Sequence, residues 1–126
     1  MNDAITFYDR SGKASLYLFK RQALYAFEGQ PLGYVTGSGD IYAFTGQWLG
    51  WMQEGWIRDR LGFCLCFQQD SAGGAEQPRR GVRPPFCGRE PLPTPVAPEP
   101  APERPQKIAS WSEQTVAAFF RPPSPF

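Results

Sequence analysis

Apolar and polar positions along the first 70 residues fall into a phrase that recurs. LYAFEGQPLGYV, from Leu24 to Val35, returns 17 residues later as IYAFTGQWLGWM, from Ile41 to Met52. Aligned on one glycine per unit (Gly12, Gly29, Gly46 and Gly62), the chain resolves into four units at spacings of 17, 17 and 16. Five positions before the glycine stand Phe7, Leu24, Ile41 and Ile57, and four before it stand Tyr8, Tyr25, Tyr42 and Arg58. Three positions after it stand Ser15, Leu32, Leu49 and Leu65, and five after it Tyr17, Tyr34, Trp51 and Phe67. Units this short exclude helix pairs and four-stranded propeller blades. Strand-forming residues on either side of a glycine-centred turn predict one β-hairpin of two short strands per unit. Further turn signals at Thr36-Gly37-Ser38-Gly39-Asp40 and Gln53-Glu54-Gly55 separate the units. An eight-strand meander results. Single hairpins are not stable in water, so the four must share a core. The predicted fold class is all-β: four short hairpin repeats around a pseudo-fourfold centre, closed so that outer edges are hidden.

Strict alternation is missing from these strands. Leu24 and Ala26 fall on one face, yet Tyr25 and Phe27 on the other are apolar too. Either neighbours enclose the hairpins on both sides, or the tyrosines point their hydroxyls at water. A second glycine row, Gly33 and Gly50, marks a place where backbones crowd, and units one and four carry Leu16 and Cys66 there.

Composition then divides the chain. Fourteen of the 19 aromatic residues lie between Phe7 and Phe67, and ten of the 14 prolines between Pro78 and Pro105. Residues 1–70 are therefore the predicted β module. A domain that small buries only about 60% of its unfolded surface, so it depends on large side chains. Residues 71–107 read as a Pro-rich disordered linker, locally polyproline II from Leu92 to Pro105. A stiff spacer and a weak SH3-type ligand are both open for it. Residues 108–126 bring apolar side chains back. Ser110 and Glu113 fit a capping box, Arg121-Pro122-Pro123 a stop, and a short helix is predicted near 111–120 with Trp111, Thr115, Ala118 and Phe119 at helical spacing. This segment either folds back on the β module in cis or by exchange between copies, or carries a protein-interaction motif, or stays unstructured.

Little chemistry stands out. The formal net charge of +1 does not suggest a specific nucleic-acid surface. Histidine is absent, which removes the usual base of neutral-pH catalysis and the commonest metal ligand. Cys64, Cys66 and Cys87 make neither a zinc set nor an even disulfide framework, and Cys64 and Cys66, two apart in a strand, are expected on one face. No catalytic, cofactor or metal residues are predicted, and no cofactor is implied. No apolar run is long enough to span a bilayer and no secretory signal is seen, so a cytoplasmic location is the default expectation. Two features could form an interaction surface. Units one and four share Asp9-Arg10 and Asp59-Arg60, which ring closure would make neighbours; they read as turn caps or as a polar ligand patch. Trp48, opposite a proline in the preceding unit, is the aromatic expected to be exposed, while Trp111, Phe119 and Phe120 are the candidate contacts of the tail. A non-enzymatic structural or protein-interaction module is the first reading. The alternative is a small ligand-binding protein or hydrolase built on the Asp9, Arg10, Asp59, Arg60 seam.

The runs FYDRSGK, YAFxGQxLGW and GWIRDRLG, followed by DSAGG and a terminal WSEQTVAAFF, resemble the small bacterial family of four-fold β-flower proteins. The likeness spans residues 5–74 and returns at 111–120. It implies a compact ring of four short hairpins, with Gly46, Gly50, Trp51, Gly55, Trp56, Arg58 and Asp59 as structural positions, and it implies no activity. The linker departs from the family pattern in being richer in proline and glutamate.

Overall fold

The computed structural model describes residues 4–121. Eight strands run in chain order: β1 (Ala4–Tyr8), β2 (Ala14–Phe19), β3 (Ala23–Tyr25), β4 (Pro31–Val35), β5 (Asp40–Tyr42), β6 (Trp48–Gln53), β7 (Trp56–Asp59) and β8 (Cys64–Phe67). Each pairs antiparallel with the next, and β8 returns to β1 through Tyr8↔Phe67, closing a barrel. The four predicted hairpins are β1–β2, β3–β4, β5–β6 and β7–β8. Their turns have the repeated glycine at positive φ, as at Gly12 (φ 85°) and Gly46 (φ 92°), a region closed to most residues with a Cβ.

Within every hairpin the register slips by one residue, leaving Ser15, Leu32, Leu49 and Leu65 as the unpaired residue of a bulge. The bulge explains the missing alternation. It turns Leu32, Leu49 and Leu65 towards the lumen, where Phe7, Leu16, Leu24, Ile41, Ile57 and Cys66 also pack. It also separates the two strand thiols: Cys66 joins the lumen, whereas Cys64 packs outside with Trp56, Phe67 and Ala75. The expectation that both face one side is thus corrected. In the first unit Ser15 replaces leucine, and its hydroxyl donates to Asp9 instead.

The outer wall is apolar too because it is covered. Residues 71–107, expected to be a disordered spacer, contain no strand or helix, yet their backbone is hydrogen-bonded around the barrel as a belt. Gly81 donates its N–H to the Gly12 carbonyl at 2.7 Å, Glu90 to Gly29 at 2.9 Å, Glu99 to Gly46 at 2.8 Å, and Ile108 to Gly62 at 3.1 Å. The donors recur every nine residues, one for each hairpin turn. Cys87 and Val96 add bonds to Phe27 and Phe44, while Pro78 and Pro105, which lack an N–H, occupy the same phase in units one and four. Proline removes conformations from the unfolded belt, so few bonds suffice to order it. After a full circuit the belt meets itself: Trp111 Nε1 donates to the Glu76 carbonyl at 3.1 Å.

Beyond the belt the chain differs from the predicted helix over 111–120. Trp111 forms a parallel bridge to Cys64, the N–H of Ser112 bonds to Cys64, and its hydroxyl donates to Asp59. These extended contacts outcompete the Ser110–Glu113 box. The helix α1 is only Val116–Phe120, with Thr115 as its N-cap accepting from the Ala118 N–H at 3.1 Å. Pro122 and Pro123 lie outside the described residues. Phe119 (2% exposed) and Phe120 (8%) enter the lumen cluster. Their rings lie against Gly50 and Gly33, where two units carry no side chain. The backbone crowding expected of these glycines is present as well, since a Cβ on Gly33 would come within 2.7 Å of the Tyr42 carbonyl oxygen.

Candidate functional site

The end of the barrel formed by the four hairpin turns is where the seam, the belt and the tail converge. Asp9 opens the first turn. Its Oδ1 accepts from the backbone N–H of Ser11 (2.9 Å) and Lys13 (3.1 Å) and from the Ser11 hydroxyl (2.6 Å), and its Oδ2 accepts from Ser15. Burial alone would raise this carboxyl, but the hydrogen bonds from Ser11, Ser15 and Lys13 outweigh it and hold Asp9 below its ordinary value. Asp59 does the same work in the fourth turn, accepting from the N–H of Leu61 and Phe63, and its other oxygen takes the Ser112 hydroxyl. Arg10 and Arg60 are exposed. Asp9 and Arg10 line a cavity of about 180 Å³ together with Leu65, Trp111 and Glu113. Neither Asp59 nor Arg60 lines it, so this cavity does not join the four seam residues.

The other candidates are placed differently from the expectation. Trp48 is 2% exposed, not on the surface. Its ring stacks on Trp51 (centroids 6.2 Å apart), its Nε1 donates to Asp40 at 3.1 Å, and its backbone N–H donates to Glu99 Oε1 at 2.8 Å. The belt covers it, which no local reading of the strand could foresee. Trp111 is half-buried, edge-on to Trp56 and Phe67. Phe119 and Phe120 are interior. Trp48, Phe119 and Phe120 are therefore core, and Trp111 packs at its edge.

Arg58 was legible only as a structural position. It replaces the repeat tyrosine and is 2% exposed. Its Nη1 donates to the carbonyls of Gly62 (2.7 Å) and Ile108 (2.9 Å). One unit earlier, the Tyr42 hydroxyl donates to the Glu99 carbonyl at 2.8 Å. Glu99 and Ile108 hold the same belt phase, nine residues apart, so in these two units tyrosine and arginine each reach a belt carbonyl from the same repeat position.

Charge is unevenly distributed around the belt. Residues 78–89 carry Arg79, Arg80, Arg83 and Arg89 and no acid; residues 90–103 carry Glu90, Glu99 and Glu103 and no base. On the acidic side, Arg104 pairs with Asp40 (3.2 Å) and Lys107 with Glu54 (2.8 Å). On the basic side the cations stand on rings instead: Arg80 over Tyr8, Arg83 over Phe86 (4.2 Å), and Arg89 (3.7 Å) and Lys20 (5.4 Å) both over Phe19. The local composition of residues 78–89 was the signal for this face, and the chain's overall charge conceals it.

Among the described residues no group of three or more Cys, Asp or Glu side chains could hold a metal ion, and no helix is long and apolar enough to cross a membrane. The fold defines a class: a small closed β-barrel of four hairpins, bound by its own belt and plugged by its own tail. Residues 5–120 match the 4-fold beta flower protein family, and the chain belongs to that family. No curated protein and no solved structure matches the chain.

Proposed function

We propose that this protein is a non-enzymatic structural or protein-interaction module, with the belt as its presented surface and the tail serving the core. The supporting observation is that the lumen, the natural ligand space of a small barrel, is filled by the chain's own side chains, Phe119 and Phe120 included. The alternative hydrolase or ligand-binding reading draws on Asp9 and Arg10 beside their cavity, but the oxygens of Asp9 are already committed to the turn. The reading extends to a reducing, cytoplasmic compartment, which the three free thiols Cys64, Cys66 and Cys87 favour. Photo-crosslinking of the full chain in its native cells, with the photoreactive group at exposed Val82, Leu92 or Val96, is expected to capture a discrete partner. The reading fails if no partner is captured, or if the purified chain turns over a panel of chromogenic ester, phosphoester and glycoside substrates and Asp9→Asn abolishes the turnover.

A further inference from the structure

Resting on that reading, we infer that the basic quarter of the belt, residues 79–89, is a docking strip for an extended acidic peptide segment of another protein. The rings beneath the cations are contiguous. Phe19 packs on Tyr25, Tyr25 on Tyr17, and Tyr17 on Phe86, while Tyr8 joins the same outer cluster. Arg80, Arg83, Arg89 and Lys20 therefore stand on one aromatic platform rather than as scattered solvated charges. A guanidinium held against a ring loses little freedom when a carboxylate arrives, and its planar fork takes the carboxylate through two hydrogen bonds. Among the described residues none of these four cations has an ion-pair partner, in contrast to Arg104 and Lys107.

The backbone of the strip points to a peptide. Gly81, Cys87 and Glu90 turn their N–H groups inward to Gly12, Phe27 and Gly29. Val82, Arg83 and Arg89 donate their N–H to no acceptor among the described residues, and all three are exposed. Exposed N–H groups left unbonded beside those that hold the belt to the barrel are donors to which a partner chain adds main-chain hydrogen bonds. Val82, 95% exposed between Arg80 and Arg83, offers one apolar contact. Single-stranded nucleic acid fits less well, because the rings on which bases would stack are already capped by guanidinium groups. A membrane fits less well, because one valine is not an insertion face.

The test is fluorescence anisotropy of a fluorescein-labelled oligoglutamate peptide titrated with the full chain. Saturable binding is expected at low ionic strength, weakening as salt rises. R80E/R83E/R89E is expected to lower affinity by about tenfold or more, and K107E to leave it within about twofold because Lys107 already has a partner. Near-UV circular dichroism checks that the triple variant is folded. If it is not, R80Q/R83Q/R89Q is measured instead and must still weaken binding. The inference is overturned if the folded arginine variant binds like the parent. It is also overturned if oligothymidylate or phosphatidylglycerol vesicles bind the parent more tightly than the peptide and lose that binding with the same substitutions. A crosslinked partner that persists unchanged in the triple variant overturns the strip and leaves the interaction-module reading standing, whereas capture of no partner by either chain removes that reading.

Discussion

Replacing Phe119 by alanine removes a ring that is 2% exposed and lies between the lumen and Gly50. The wall cannot supply a substitute. A Cβ at Gly50 would collide with the Arg58 carbonyl, so the neighbouring strand already sits as close as it can. The space left behind therefore stays a cavity, and a Phe→Ala change of that kind costs about 3–5 kcal/mol. Domains of this size have a total stability of about 5–15 kcal/mol, so the loss is a large fraction of it. At roughly 3–6 °C per kcal/mol, the melting temperature should fall by about 10–30 °C. Urea unfolding followed by tryptophan fluorescence measures the change directly, with an unchanged m-value showing that the same surface is still exposed on unfolding. Two controls on the same helix set the scale. Ala118→Ser, at an exposed position, should stay within about 0.5 kcal/mol, and Thr115→Ala, which loses the N-cap bond, should cost about 1 kcal/mol. A Phe119→Ala midpoint indistinguishable from that of Ala118→Ser would refute the argument that the tail completes the core.

Three further outcomes are expected. Arg58→Met removes the guanidinium bonds to the Gly62 and Ile108 carbonyls at a buried site and leaves the Gly62 carbonyl only the Ile108 N–H, so it should cost about 2–4 kcal/mol and speed hydrogen exchange at the Ile108 amide, with Arg58→Lys restoring only part of the loss; unaltered exchange there would count against Arg58 as a belt anchor. Native thiol labelling should modify one cysteine per chain, the exposed Cys87, and all three after unfolding, since Cys64 and Cys66 are buried and burial pushes the Cys66 thiol well above its ordinary value; rapid native modification of Cys66 would contradict its place in the lumen. Asp9 is held below its ordinary 3.8 in the folded chain, so its contribution is fully present above that value and is lost as pH falls through the lower folded value. Urea midpoints of Asp9→Asn should accordingly be lower than those of the parent at neutral pH, with the gap narrowing below about pH 4; a gap that does not depend on pH would refute this role for the carboxylate.

The hairpins were legible because each unit repeats both its turn glycine and the apolar positions around it, and register follows from those two signals. The bulge was not. Leu32, Leu49 and Leu65 look like ordinary strand residues until the ladder slips beneath them, and that slip breaks the alternation and puts Cys64 and Cys66 on opposite sides. The belt was hidden for a different reason. Its bonds come from backbone N–H groups at Gly81, Glu90, Glu99 and Ile108, four positions with no side-chain chemistry in common. Its composition normally signals disorder, although the prolines at 78 and 105 fall in step with the nine-residue phase. The burial of Trp48 is hidden with it, because a covering segment 51 residues away leaves no local trace. Of the seam, Asp9 and Asp59 cap their turns, as aspartate two residues before a turn N–H can, and Asp59 has one more partner, Ser112, that only the folded tail could supply.

The join at Tyr8↔Phe67 also bears on the order in which the molecule assembles. Adjacent strands pair across short distances along the chain and form early, whereas the partners of the belt and of Phe119 are remote and form late. During synthesis the eight strands emerge from the ribosome well before the residues that seal their mouth, so the newborn module passes through an interval with greasy lumen walls open at one end. A translation stall in the proline-dense stretch would prolong that interval and hand the unfinished chain to chaperones or proteases.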